Sequence, residues 1–253
     1  MTETDPRVFS GWPAEARAFL AELADDNTRT FWTGNAHRYR AAVLGPTRAL
    51  ASALTPEFGP PRVFRPYVDR RFQPTADPYR TDTGLTVAGP GGTPYVAVLS
   101  AQGLAVQIGH RVFDAGQLRR YRAAVAGPPG EALDEVLVAL RRDDLVPDDV
   151  PALVRGPRGC PADHPRLPLL RWRGLHVDRA WPAGEWLSTE EPRRRVAAAW
   201  RAARPLADWL EAHVGPREQV GAPRRPPELP PDDRNSAAEQ GGGPQVEWPK
   251  RVL

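Results

Sequence analysis

Arginine dominates the chemistry this chain can offer. Lys250 is the single lysine, so 33 of the 34 basic side chains are arginines. Guanidinium stays charged at any physiological pH, and its planar fork matches the oxygens of a carboxylate or phosphate two at a time. The densest cluster is Arg65, Asp69, Arg71, Tyr79 and Arg80. On an extended chain Asp69 and Arg71, two apart, share a face and can orient each other about an anion. The same charges suit an ion-pair network at a sheet edge. A second cluster, Arg158, Asp163, His164 and Arg166, sits among prolines and glycine. There His164 is suited either to proton transfer near neutral pH or to capping the following turn. The candidate ligand-binding residues are therefore Arg65, Asp69, Arg71, Tyr79, Arg80, Arg158 and His164, with Asp69 and His164 as the candidate proton-transfer groups.

Other chemistries are excluded or unsupported. A chain with no lysine before residue 250 has no lysine in its folded part for a Schiff base, for pyridoxal phosphate or for a phosphate-binding Gly-Lys-Ser/Thr loop. One cysteine, Cys160, permits neither an internal disulfide nor a cysteine zinc site, which points to a reducing compartment. Arg158 and His164 lie close enough in sequence to activate its thiol. The histidines, His37, His110, His164, His176 and His213, follow no metal-ligand spacing, although His176 and Asp178 could offer two ligands from one strand face. No metal and no cofactor is implied. Arg119, Arg120 and Arg122, the pair Arg141-Arg142 and the run Arg193 to Arg195 read as solvated helix faces. With a net charge of only +3, nucleic-acid binding is not expected.

These residues need elements to position them. Helical spacing runs from Pro13 to about Ala24, with Ala16, Phe19, Leu20 and Leu23 on one face. A second helix carries Phe31, Trp32, Tyr39 and Val43. Gly45-Pro46 is expected to interrupt it before a third helix, which Gly59-Pro60-Pro61 ends. Four strand-like segments follow, Val63 to Tyr67, Leu85 to Ala88, Tyr95 to Leu99 and Leu104 to Ile108, the last two separated by a hairpin-sized gap. Gly89-Pro90-Gly91-Gly92 reads as another hairpin turn. Helices are predicted over 115–125 and 131–140, one more strand over 172–177, and a helical stripe from Val196 to Val214 kinked at Pro205.

From Gly215 onward, Pro, Gly and balanced charges leave too few apolar residues to offset ordering, and this stretch reads as disordered. Its end, from Val246 to Leu253, has the makings of a docking peptide. The expected organisation is a flexible 1–8, a single α+β domain over 9–214 and a disordered Pro/Gly-rich tail over 215–253. The acidic, polar opening lacks the pattern of an export signal, and no stretch approaches the roughly 20 apolar residues of a membrane span. A cytoplasmic chain without a membrane anchor is the expectation.

Three stretches together carry a resemblance. They are Phe9 to Trp12 with Asp26-Asn27 and Phe31-Trp32; Phe64 to Phe72 continuing through Pro78-Tyr79-Arg80-Thr81; and Pro157 to Pro165. In order and spacing over about residues 9–214, the chain resembles the bacterial and fungal family known as domain of unknown function 2461. The resemblance implies a domain boundary but no established activity. It also exposes departures: Val68 stands for the family's leading arginine, Gln73 for a serine, Thr75 and Ala76 for an Asp-Lys pair, and Asp77 for a serine. Val154 stands for a lysine and Cys160 for an aromatic, so a family activity resting on those charges would be lost in this member.

The fold expected is α+β, a central antiparallel sheet from about Arg62 to Gly109 flanked by N- and C-terminal helices. Whether the chain is an enzyme stays open at this point. The preferred reading is a binding or accessory module for an anionic small molecule or an acidic segment of a protein partner. One rival is an enzyme using Asp69 and His164 on an anionic substrate, and the other a structural interaction protein that works through its tail.

Overall fold

The computed structural model describes residues 8–68, 76–89 and 91–217. Asp69 and Arg71, the predicted pair, lie outside the described residues, as do the docking peptide and nearly all of the predicted tail. The chain opens with helix α1 (Ala14–Asp25), which buries Ala16, Phe19, Leu20 and Leu23 as its spacing dictates. Thr28 caps α2 (Arg29–Arg38) by accepting a hydrogen bond from the Phe31 N–H.

Gly45-Pro46 does not interrupt the next helix. A π-helical turn (Tyr39–Leu44) joins α2 directly to α3 (Gly45–Phe58), and the Gly45 N–H bonds back to the Arg40 carbonyl. Pro46 has no N–H, and its ring would strike a carbonyl one turn earlier in a regular α-helix. One extra residue in the turn relieves that clash, so the helix continues where sequence rules alone end it.

Five strands form one antiparallel sheet in chain order: β1 (Arg62–Val63), β2 (Asp82–Ala88), β3 (Pro94–Ser100), β4 (Gly103–His110) and β5 (Leu175–Pro182). The β3–β4 hairpin expected from the turn-sized gap Ser100 to Gly103 closes at the Ser100–Gly103 pair, leaving a two-residue loop. Two differences stand out. The first predicted strand shrinks to two residues plus an isolated bridge between Tyr67 and Tyr79, because Pro66 lacks a ladder donor. The predicted strand over 172–177 starts later and pairs along the whole of β4, which extends the sheet beyond Gly109.

Helices α4 (Ala115–Ala126) and α5 (Pro129–Arg141) follow β4, the short α6 (Leu167–Leu170) leads into β5, and α7 (Glu191–Ala202) and α8 (Arg204–His213) close the fold. Pro205 ends one helix and starts another, with Ala203 turning between them, where a kinked single helix was expected. Alternate residues of β2 to β5, including Leu85, Leu99, Val106, Ile108 and Val177, join Trp12, Phe19, Leu50, Trp200 and Leu206 in one large core under the helices. Phe64, Val96 and Val98 form a small separate cluster. Among the described residues, no helix is long and apolar enough to cross a membrane.

The N-terminal motif has a packing reason. Gly11 sits at φ 108°, and a Cβ there would lie 2.3 Å from the Ser188 carbonyl carbon. Only glycine permits the approach that lets the Trp12 N–H bond to the Leu187 carbonyl at 2.8 Å and the Ser188 hydroxyl to the Trp12 carbonyl at 2.8 Å. Arg38 then ties α2 to α1 through Glu15 at 2.6 Å and Glu22 at 2.7 Å, which fixes the helix from which the groove described next is built.

Candidate functional site

The groove grows from one side-chain clamp. Asn27, in the loop between α1 and α2, donates from Nδ2 to the Tyr79 carbonyl at 2.9 Å and accepts at Oδ1 from the Tyr79 N–H at 3.0 Å. Both hydrogen-bonding groups of one amide are thus used to hold one backbone position. Beside it the Trp32 and Tyr79 rings stack with centroids 4.5 Å apart and planes 10° from parallel. Tyr39 approaches Trp32 from the π turn at 4.9 Å. Its hydroxyl is pushed up to about 12 by burial, so it stays neutral and belongs to the floor.

Tyr67 forms the opposite wall. Its backbone is held by two bonds, Val68 N–H to Pro78 carbonyl at 3.0 Å and Arg80 N–H to Pro66 carbonyl at 2.8 Å. Its ring lies 5.9 Å from Trp32 and 5.6 Å from Tyr79, yet the residue is 59% exposed. Between this wall and α2 opens a groove of about 530 Å³ lined by Arg29, Trp32, Thr33, Ala36, His37, Arg40, Tyr67 and Tyr79. Arg29, Thr33, Ala36, His37 and Arg40 succeed one another along the exposed side of α2 into the π turn. Neither Arg29 nor Arg40 makes an ion pair among the described residues. The arrangement is an aromatic floor with free guanidinium groups on the rim.

The residues singled out from sequence are distributed unevenly. Tyr79 lines the groove. Arg80, next to it, is buried and used internally: its guanidinium lies 2.7 Å from Asp82 and 4.8 Å from the Phe64 ring centroid. Arg65 is exposed just before Tyr67. Arg158 and His164 lie elsewhere, in the loop that feeds β5 through α6, with four strand spacings, roughly 19 Å, between β1 and β5. His164 accepts at Nδ1 from the Arg166 N–H at 3.1 Å, and Arg166 in turn donates to the Val125 and Gly127 carbonyls at the end of α4. The groove's lining includes Tyr79 but neither Arg158 nor His164. Val154 is 91% exposed, and Cys160 is half-buried with its sulfur 3.6 Å from the Pro161 carbonyl.

Arg29, Trp32, His37 and Arg40 were missed because the second helix read as core, and Tyr67 because it read as the end of a strand. A signal was present: 29–44 carries Arg29, Arg38 and Arg40 but no Asp or Glu, so it cannot satisfy its own arginines.

A second polar group is buried between β4 and β5. Asp178 accepts at Oδ1 from Gln107 Nε2 at 2.7 Å, and its Oδ2 lies 3.3 Å from His176 Nε2, which also sits 3.0 Å from the Asp148 carbonyl. Burial drives both groups toward neutrality, raising Asp178 to about 7 against the Gln107 hydrogen bond and lowering His176 to about 4. His176 and Asp178 do share a strand face as their spacing suggested. Among the described residues, however, no group of three His, Cys, Asp or Glu side chains is arranged to hold a metal ion.

Fold and groove together define an α+β protein with one antiparallel sheet and an aromatic, arginine-rimmed groove at its β1–β2 side. The chain belongs to the conserved hypothetical protein family DUF2461, whose model matches residues 15–209. No curated protein and no solved structure matches it. The segments that carry the family resemblance near residues 27, 32, 67 and 79 meet at this groove.

Proposed function

We propose that the chain is a binding module for an anionic small molecule, held in the groove between α2 and Tyr67. The observation that carries this reading is the pair of rim guanidinium groups, Arg29 and Arg40, exposed above a preformed aromatic floor. Arg38, Arg80, Arg166 and Arg201 spend their guanidinium groups on acidic or carbonyl partners within the fold, and what sets Arg29 and Arg40 apart is their place on the groove with the aromatic floor. An exposed guanidinium there is available to a phosphate or carboxylate from outside. A volume of about 530 Å³ falls within the range of about 300–1,000 Å³ typical of small-molecule sites. Arg65, exposed two residues before Tyr67, belongs to this reading, while Asp69 and Arg71 lie outside the described residues. Arg158 and His164 do not belong to it, so the acid–base enzyme built on Asp69 and His164 draws no support from the groove.

The test is a thermal-shift panel of phosphate monoesters and di- and tricarboxylates on the full chain and on the double variant Arg29→Gln/Arg40→Gln. An anion at 100 times its dissociation constant should stabilise the native chain by about 2.7 kcal/mol, and the variant should lose that gain. Equal shifts in both proteins, or none from any anion, would overturn the reading.

A further inference from the structure

We infer that the ligand is a nucleoside monophosphate, its base stacked on Tyr67 and its phosphate on the rim arginines. This rests on the reading of the groove as an anion site and names the ligand's other half.

The argument starts from Tyr67. A site for a bare anion needs cations and hydrogen-bond donors, and an aromatic wall adds nothing to it. Here the wall is an exposed tyrosine that the fold takes trouble to hold. Two backbone bonds to the Pro78–Arg80 segment fix its main chain, and Trp32 and Tyr79 back its ring at tilts of 58° and 48°. A ring held in place before binding loses little freedom when a flat partner stacks on it, so the stacking energy is realised in full. Exposed tyrosine accepts any planar base, since every base has a π-face.

Charge selects among flat partners. Aromatic walls also attract cations such as quaternary ammonium groups. Arg29 and Arg40, exposed on the same groove, would repel those and favour a ring that carries an anion. Thr33 and His37, between the arginines along α2, add a hydroxyl and ring nitrogens within the groove for the sugar and base edges. The volume of about 530 Å³ suits one nucleotide.

Isothermal titration of the full chain with adenosine 5′-monophosphate, ribose 5-phosphate and octathymidylate tests this, alongside Tyr67→Leu. Tyr67 is 59% exposed, so the variant should stay folded with at most a small loss of stability, and its affinity is read at a temperature where both proteins are fully folded. Adenosine monophosphate should bind at least tenfold more tightly than ribose 5-phosphate, and Tyr67→Leu should remove most of that difference, a loss of about tenfold. Equal affinity for the two phosphates would overturn the nucleotide assignment while leaving an anion groove. Octathymidylate binding far more tightly than the monophosphate would overturn it in favour of a nucleic-acid strand. Failure of every phosphate to bind would overturn the nucleotide assignment, and the anion-site reading would fall with it only if the carboxylates of the thermal-shift panel failed too.

Discussion

The groove beside α2 and the polar group between β4 and β5 use related residues to opposite ends. In the groove, guanidinium and imidazole groups stand exposed over a stacked aromatic floor. Between the strands, Asp178 and His176 are nearly sealed, at 5% and 0% exposure, and burial moves both toward the neutral form. Perturbed titration is commonly taken as a mark of function. Here burial shifts Asp178 and His176 inside a closed contact, while the groove lies open. The difference teaches that access and unspent hydrogen-bonding capacity, more than an altered pKa, distinguish the candidate site in this fold.

The comparison breaks first if the groove's floor is not part of the core. Trp32 is 9% exposed and touches Phe19, Tyr39, Tyr67 and Tyr79. Trp32→Ala should therefore cost about 3–5 kcal/mol in urea unfolding, as aromatic truncations in cores do. A loss under about 1 kcal/mol would mean that the floor is a surface feature and that the groove is not preformed.

The buried pair is tested through pH. Asp178 titrates near 7 in the folded chain and near 4 once unfolded, so between those values the native state keeps a proton that the unfolded chain has released. Stability from this group is present in full below about pH 4 and is lost as pH rises toward 7, a change on the order of 3–4 kcal/mol. His176 works the other way, because its folded value near 4 lies below its unfolded value near 6.5, so its contribution grows as pH rises from 4 to 6.5. The two nearly cancel in the native chain. Asp178→Asn keeps an acceptor for Gln107 and removes the acid, so the variant should gain stability relative to the native chain above pH 7. Its melting temperature should also climb from pH 4.5 to 6.5, where the native profile stays flat. Parallel profiles would show that Asp178 is ionised and solvated in the fold.

Much of the scaffold was legible in the sequence, and the reason is periodicity. The apolar stripe of α1, the short β-branched and aromatic runs of β2 to β4 and the short turn between β3 and β4 are local patterns that tertiary packing had only to confirm. What escaped was set by contacts distant in sequence or by unusual backbone. The π turn exists because Pro46 needs room, and it carries Arg40 onto the groove, which no propensity rule foresees. Of the candidate site, Tyr79 was found by its setting among charges. Its partner Trp32 looked like any core aromatic, since their stacking joins residues 47 positions apart in the chain. Arg80 read as a ligand group until Asp82 and Phe64 accounted for it.

The smallest expected effect concerns the clamp that joins scaffold to groove. Asn27 spends its amide on the two backbone groups of Tyr79 and stands at the head of α2, so it couples the loop that carries Tyr79 to the helix that carries Arg29. Asn27→Ala leaves a carbonyl and an N–H without those partners, and each net hydrogen bond is worth about 0.5–1.5 kcal/mol. A cost of about 1–2 kcal/mol in urea unfolding is expected, below that of Trp32→Ala because the aromatic stack remains. Anion affinity in titration calorimetry should fall by more than the fraction of unfolded chain explains, since Tyr79 and the bridged Tyr67 lose their fixed distance from the rim arginines. The buried pair gives the contrast: Asp178→Asn changes stability with pH but should leave anion affinity unchanged. Should Asn27→Ala lower stability and leave affinity intact, the clamp serves the fold alone, and the groove's geometry is held by the stacked rings.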